Sequence, residues 1–218
     1  MSDSPTRRSQ RRSKSRLEAF SDGVFAIAIT LLVLEIVVPH PPDVPGGRLL
    51  HELGRERQSF LAYFVAFMTI GAVWIEHSAL VDALDFVDAT FMRLNLVLLL
   101  FVGILPYPTG LMAEYRYDAS GERVAVVFFG VVLLMQTVML FVLARHAERE
   151  GLYGADVVDE RLEESRVKYV LAPSLILYAV AAVVGFLLPY AGLVLYLLIA
   201  VYLAIPIKRV QRLLRRGT

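Results

Sequence analysis

Residues 16–36 of the chain read RLEAFSDGVFAIAITLLVLEI, and the interpretation of the whole sequence starts from this segment. After Phe20, Ser21 and Asp22 it continues as an apolar run to Val38, interrupted only by Glu35 near its far end. An apolar run of roughly 18–20 residues is long enough to cross a bilayer as a helix. A cleaved signal peptide is not expected, because the run is long for one and no small-residue cleavage site follows it. The segment therefore predicts a retained first membrane span.

Outward from this segment, comparable apolar runs fill most of the chain. Hydrophobic residues make up 57% of the 218 residues and the mean hydropathy is +0.60, whereas ordinary globular proteins are about 45–50% apolar. We predict an all-α membrane protein whose membrane domain, residues 17–207, has six transmembrane helices. The expected spans are about 19–38, 58–79, 90–112, 123–144, 167–188 and 191–207. Residues 1–16 are predicted as a basic disordered tail, residues 208–218 as a second basic tail, and the connector 145–166 as soluble helix.

The distribution of basic residues predicts the orientation of these spans. Of the 22 Lys and Arg residues, 17 fall on the side of the two termini and 5 on the opposite side. The positive-inside rule then places both termini in the cytoplasm of a multi-pass protein of the cell membrane.

Signatures of enzymes and of bound metals are missing from the sequence. There is no cysteine, no Walker loop, no GxSxG and no HExxH, and the four histidines are scattered through separate segments. The potassium-filter sequence TVGYG is also absent, and PYPTG at 106–110 does not replace it. We expect no catalytic residue, no metal site, no cofactor and no nucleic-acid partner.

The first span has two features of interest, a stripe of residues on one helical face and the ionisable residue Asp22. At about 100° per residue, one helical face carries Ile27, Thr30, Leu31 and Leu34. On spacing alone, such a stripe is more often a packing or lipid-facing surface. Asp22 points away from this face. Inserting an ionisable group at the centre of a span costs roughly 2.5–3.5 kcal/mol, so its presence suggests a function. Alternatively, Asp22 lies at the headgroups and caps the helix or pairs locally.

Polar residues of the next two spans fall at the same depth as Asp22. Span 2 ends with Trp74 and His77, and span 3 begins with Arg93 and Asn95. Taken alone, Trp74 is explained by the common occurrence of tryptophan at membrane interfaces. Asn95 in an apolar layer, in contrast, needs a hydrogen-bond partner. We predict a buried polar cluster of Asp22, Ser21, His77 and Asn95 at the cytoplasmic edge.

The Arg-x-x-x-Phe-Ser-Asp motif before a hydrophobic helix resembles the first-helix signature of the transmembrane protein 175 family. This is an endolysosomal potassium-channel family with prokaryotic members, and the resemblance extends over roughly residues 16–207. It implies a potassium-permeable channel in which the first helix of each repeat lines the pore and an apolar ring forms the constriction. The implied pore residues are Ile27, Thr30, Leu31 and Leu34. The implied structural polar network, which holds helix 1 against helices 2 and 3, is Arg16, Ser21, Asp22, Trp74, His77 and Asn95.

Only one copy of the motif occurs in the chain, and one pore helix cannot enclose a pore. The resemblance therefore implies a homotetramer in the lipid bilayer that conducts potassium and other monovalent cations. An apolar ring offers no oxygen ligands, so it would gate by dewetting and favour potassium modestly because potassium loses water more easily than sodium. Two other functions stay open: a proton- or ion-coupled transporter using Asp22 and Glu35, and a scaffold whose basic tails bind anionic lipid.

Overall fold

The computed structural model of the protein describes residues 5–36, 48–55, 57–115, 118–154 and 171–204. Within these ranges the chain is helical, apart from short connecting segments and a single bridge between Leu84 and Tyr153. The first helix, α1, continues into a 3-10 turn at Leu32–Glu35. The helices are α1 (Pro5–Leu31), α2 (Leu49–Arg55), α3 (Arg57–Asp82), α4 (Ala89–Gly103), α5 (Pro106–Glu114), α6 (Ala119–Arg149), α7 (Ala172–Leu187) and α8 (Pro189–Ala204).

Four helical segments are long and apolar enough to cross a membrane: Lys14–Glu35, Ser59–Asp82, Ala89–Glu114 and Ala119–Arg149. The helices α7 and α8 are apolar but have 16 residues each, which is short for a full span. The all-helical class expected from the sequence is confirmed by these elements. The predicted C-terminal tail, 208–218, and residues 155–166 of the predicted connector lie outside the described residues.

The disordered tail predicted for residues 1–16 is wrong over residues 5–16, because α1 begins at Pro5. Proline is tolerated at the first helical position, where its missing N–H would be unpaired in any case. The Arg, Lys and Gln residues that follow are good helix formers, so the helix of the first span extends through them. The serine-rich, basic composition with no apolar residues to bury predicts disorder, but a helix that is already nucleated continues at little cost.

The third span is broken between α4 and α5 for a chemical reason. Pro106 has no N–H, and Leu105 donates its own N–H to Val102 at 3.3 Å instead of continuing the α-helical pattern. The carbonyl of Phe101 loses its regular partner and accepts a hydrogen bond from Gln136 Nε2 of α6 at 2.9 Å. This side-chain contact replaces the missing backbone bond in a region where water is excluded.

The helices form one bundle in which α1 lies at the edge. It packs on α3 and α4, while α6 packs on α4, α5 and α7, and α3 packs on α5 and α8. The hairpin of α7 and α8 is held by close backbone approach, because a Cβ at Gly192 would lie 2.5 Å from the Cα of Gly185. Only 28% of the apolar window of α1 is buried, against 50% in each of the other three long helices. Most of the surface of α1 is therefore left without a partner in a single chain.

Candidate functional site

The stripe predicted on α1 lies on the exposed side of the helix. Ile27 is 61% exposed, Leu31 42% and Leu34 73%, and Thr30 is exposed between them. The opposite side is buried against α3 and α4 by Phe25, Ala28 and Leu32. Large aliphatic side chains are costly to expose to water, so this face is adapted to lipid, to another protein surface or to a narrow apolar passage.

Thr30 is the polar member of this stripe, and its hydrogen bonding leaves its oxygen available. The hydroxyl proton is directed at the carbonyls of Ala26 and Ile27, with oxygen–oxygen distances of 3.0 and 2.9 Å. A threonine hydroxyl has one proton and two lone pairs. Because the proton is used within the helix, the lone pairs can accept from water or approach a cation. Thr30 is thus the hydroxyl that an ion passing along this face would meet.

Three buried polar side chains join α1, α3 and α4 on the other side of the helix. Asn95 Nδ2 donates to Ser21 Oγ at 2.9 Å, and His77 Nε2 lies 2.7 Å from Asn95 Oδ1. Since an amide oxygen only accepts, His77 Nε2 carries the proton and donates. The ring of Phe25 packs against that of His77 with centroids 5.5 Å apart. Ser21, His77 and Asn95 are each at most 2% exposed, so this chain of hydrogen bonds is sealed from solvent.

Asp22 does not belong to that buried chain, contrary to the cluster predicted from the sequence. Its carboxylate accepts a hydrogen bond from Trp74 Nε1 at 2.9 Å, and both residues are exposed. The reason is helical geometry, since Ser21 and Asp22 are neighbours separated by about 100° around the helix. The predicted network is therefore two separate contacts of α1, a buried one to Asn95 of α4 through Ser21 and one at the rim to Trp74 of α3 through Asp22.

Arg16, the first residue of the motif, stands apart from both contacts. It is exposed and lines a hollow between α1 and α4 together with Leu17, Phe20, Met92 and Leu96. The buried Asn95 forms part of the floor of the same hollow. The structure thus places Arg16 beside the polar network rather than within its hydrogen bonds.

A further set of contacts near the same end of the bundle was not anticipated from the sequence. Lys14 Nζ donates to the carbonyls of Leu84 and Asp82 at 2.7 and 3.2 Å, which ties α1 to the end of α3. Asp88 caps α4 by accepting from the Phe91 N–H at 2.6 Å and pairs with His146 of α6 at 3.0 Å. Asp88 and His146 are 58 residues apart, so no local spacing could signal their contact.

The charge state of Asp88 follows from these partners. Partial burial opposes ionisation of the carboxyl group, but hydrogen bonds from the Phe91 N–H and from His146 outweigh it and hold the pKa of Asp88 below its usual value. A lowered pKa means that the stabilisation is present above the ordinary carboxyl pKa and is lost as the pH falls through the lowered value. The cap that Asp88 forms on α4 is therefore intact at neutral pH.

Side chains that could bind a metal are dispersed in the described part of the chain. Across residues 5–36, 48–55, 57–115, 118–154 and 171–204, no three His, Asp or Glu side chains converge as metal ligands would. The polar groups that do converge are engaged with one another between helices. Their arrangement can position α1, whereas the exposed stripe on α1 is the surface that can contact something outside the chain.

Comparison with known proteins points to one family. The family described as the endosomal/lysosomal potassium channel TMEM175 matches residues 16–106. A Streptomyces collinus protein named as a potassium channel is 40% identical over 157 residues, which is 72% of this chain and 75% of that protein. The mouse protein named endosomal/lysosomal proton channel TMEM175 is 41% identical over 133 residues, which is 55% of this chain and 26% of that protein.

A solved structure agrees with this assignment. The crystal structure of a lysosomal potassium-selective channel TMEM175 homolog from Chamaesiphon minutus superposes with a TM-score of 0.78 at 32% identity. The match covers 88% of this chain and 97% of the chain in that structure. These relatives are ion channels and not enzymes, which confirms the expectation that this chain is not an enzyme.

Proposed function

This chain belongs to the TMEM175 potassium channel family, and on that basis we propose that it is a potassium-permeable cation channel whose pore is lined by α1. The observation that carries the proposal is the exposed stripe of aliphatic side chains on a helix whose opposite face is buried. The pore-lining residues of this proposal are Ile27, Thr30, Leu31 and Leu34. The permeant ion is potassium, and no cofactor takes part.

A pore of this kind requires several copies of the chain. One helix cannot surround a path, and closed symmetric assemblies are the usual solution for identical subunits. We therefore propose a homotetramer in which four copies of α1 meet around a common axis. The low burial of α1 in the single chain supports this assembly, because the exposed face would otherwise have no function beyond lipid contact.

The chemistry of the stripe suggests a hydrophobic gate. Ile27, Leu31 and Leu34 carry no polar atoms on their side chains, so a narrow ring of them expels water and blocks ions. A wider ring passes ions that keep part of their hydration shell. Potassium gives up water more readily than sodium, and this difference favours potassium modestly without a filter of backbone carbonyls. The Thr30 hydroxyl adds an oxygen ligand to the path.

The buried chain Ser21–Asn95–His77 has a structural role in this proposal. It fixes the rotation of α1 against α3 and α4, and this rotation decides which face of α1 points to the axis. Asp22 and Trp74 add a second contact at the rim, while Arg16 lines the hollow between α1 and α4. Six spans with both termini in the cytoplasm complete the proposed topology; α7 and α8, at 16 residues each, would cross a thin or locally compressed part of the bilayer.

An ion-coupled transporter remains the competing function. Its carriers would be Asp22 and Glu35, and Asp22 is indeed exposed. Against it, the carboxylate of Asp22 is held by the Trp74 indole and lies about 140° around the helix from Ile27. A carrier group must alternate between two sides of the membrane, whereas this contact ties the Asp22 side chain to α3.

Ion flux into liposomes that contain the purified protein tests the proposal. We expect potassium to enter passively down its gradient, faster than sodium, with no requirement for a proton gradient. Flux is measured with gradients of potassium, sodium and protons applied separately. Flux of one of these ions that depends on coupling to a second would support the transporter. Absence of flux for every monovalent cation would contradict the channel.

A further inference from the structure

Glu35 occupies a defined place at the end of α1 opposite the Phe-Ser-Asp motif. It closes the 3-10 turn that follows α1, directly after the exposed Leu34. Its carboxylate lies against α5 at Gly110, where an added Cβ would collide with Glu35 Oε2. The backbone of α5 therefore leaves room for this carboxylate because residue 110 has no side chain.

The surroundings of Glu35 are open and carry negative charge. Glu35 lines a hollow at this end of the bundle together with Leu34, Tyr107, Gly110 and Glu114. Among the described residues that line this hollow, none is Lys or Arg. The Glu35 side chain has no basic partner within the hollow, so its field acts on the solvent there.

We propose that Glu35, positioned by Gly110, is the residue that concentrates cations at this mouth of the pore. The inference rests on the proposed function, in which Leu34 lines the pore and Glu35 follows it at the rim. Four copies of the chain place four Glu35 carboxylates around one mouth. A fixed charge near a narrow entrance raises the local concentration of counter-ions and with it the rate at which they enter.

The size of the effect follows from Coulomb's law. In water, the attraction of a unit charge at a distance of about 10 Å doubles the local concentration of a counter-ion. Four such charges, partly screened, raise the cation concentration by between about twofold and about tenfold at low ionic strength. The Debye length falls from about 30 Å at 0.01 M salt to about 3 Å at 1 M, so the effect should vanish at high salt.

The test measures single-channel potassium conductance in bilayers at about 10 mM and about 1 M potassium. For Glu35→Gln we expect conductance about twofold to tenfold below that of the parent channel at low salt and close to it at high salt. Glu35→Asp retains the charge and should conduct nearly as the parent does. Gly110→Ala should give an intermediate loss at low salt, because the added methyl group displaces the Glu35 carboxylate without removing its charge.

Glu150→Gln is the matched control for loss of one negative charge per chain. Glu150 is exposed at the far end of α6, whose 31 residues separate it by about 45 Å from the end of the bundle that holds Glu35, so it should leave conductance unchanged at both salt concentrations. Equal loss in Glu35→Gln at low and high salt would show a structural contact between α1 and α5 and would overturn the proposal, as would unchanged conductance at low salt. A parent protein that conducts no current would contradict the proposed channel function. Failure of that function is therefore distinguished from failure of the Glu35 proposal.

Discussion

Replacing Ile27 by Asn should increase potassium conductance and reduce discrimination against sodium. In the proposed tetramer, four Asn amides would replace four aliphatic side chains at the constriction. Each amide offers donors and an acceptor to water, so the passage stays hydrated at a radius where an apolar ring dries. A barrier lower by about 1.4 kcal/mol gives about a tenfold increase in conductance. Sodium gains more than potassium, because its tighter hydration shell no longer has to be removed.

Ile176→Asn provides a matched control for this substitution. Ile176 lies on α7, on a helix that packs on α6 and α8, and is 69% exposed compared with 61% for Ile27. The two substitutions place the same polar group at equally exposed positions, but only one of them lies on α1. Single-channel recording should show altered conductance in Ile27→Asn alone. Ala28→Asn is less suitable as a control, because Ala28 is 2% exposed and an amide there would disturb packing.

An Ile27→Asn protein that assembles well and conducts like the parent would contradict the proposed gate. The exposed stripe on α1 would then be a lipid or subunit contact. Asn at Leu31 or Leu34 should increase conductance less than Asn at Ile27, since these positions would line wider parts of the path.

Replacing Asn95 by Leu should be the most damaging change in the polar network. The two side chains have similar volumes, so the substitution removes hydrogen bonds without leaving a large cavity. Hydrogen bonds between membrane helices contribute on average only about 0.6 kcal/mol each, but this change leaves both Ser21 and His77 buried and unpaired. An unpaired buried group costs about 1–3 kcal/mol. We expect loss of the tetramer of 24.4 kDa chains, measured by native mass spectrometry in mild detergent.

Asp22→Ala should have a smaller effect on assembly than Asn95→Leu. The cluster predicted from the sequence includes Asp22 with His77 and Asn95, but those two residues are bonded to each other. Asp22→Ala breaks only the exposed contact with Trp74, and Trp74→Phe should cause a similar loss because it removes the other partner of that bond. Greater loss of tetramer in Asp22→Ala than in Asn95→Leu would contradict the assignment of the buried chain as the structural element.

The membrane class and the face of α1 that carries the aliphatic stripe could be predicted from the sequence because both are expressed locally. A membrane span is recognised from the hydropathy of about 20 consecutive residues, and the helical period determines which residues share a face. The stripe of α1 is accordingly exposed where the helical period placed it. The family signature lies within seven residues, Arg16 to Asp22, and could be recognised without any long-range contact.

The features that the sequence missed depend on contacts between distant segments. The contact of Gln136 with the Phe101 carbonyl joins residues 35 positions apart, and it exists because the helix break before Pro106 leaves that carbonyl without its backbone partner. The division of Ser21 and Asp22 between a buried and an exposed partner depends on how α1 is rotated against α3. Helical period gives the angle between two residues, but only the packed neighbours decide which direction is the interior.

The most direct test of the pore on α1 uses the absence of cysteine from the natural chain. A single Leu34→Cys substitution introduces one thiol per chain, at a side chain that is 73% exposed on the proposed pore face. Potassium current is recorded before and after a positively charged methanethiosulfonate reagent is added, with Ile176→Cys as the control. The account predicts that the reagent blocks most of the Leu34→Cys current and leaves the Ile176→Cys current unchanged. Leu34→Cys current that persists after mass spectrometry confirms full modification would contradict a pore lined by α1.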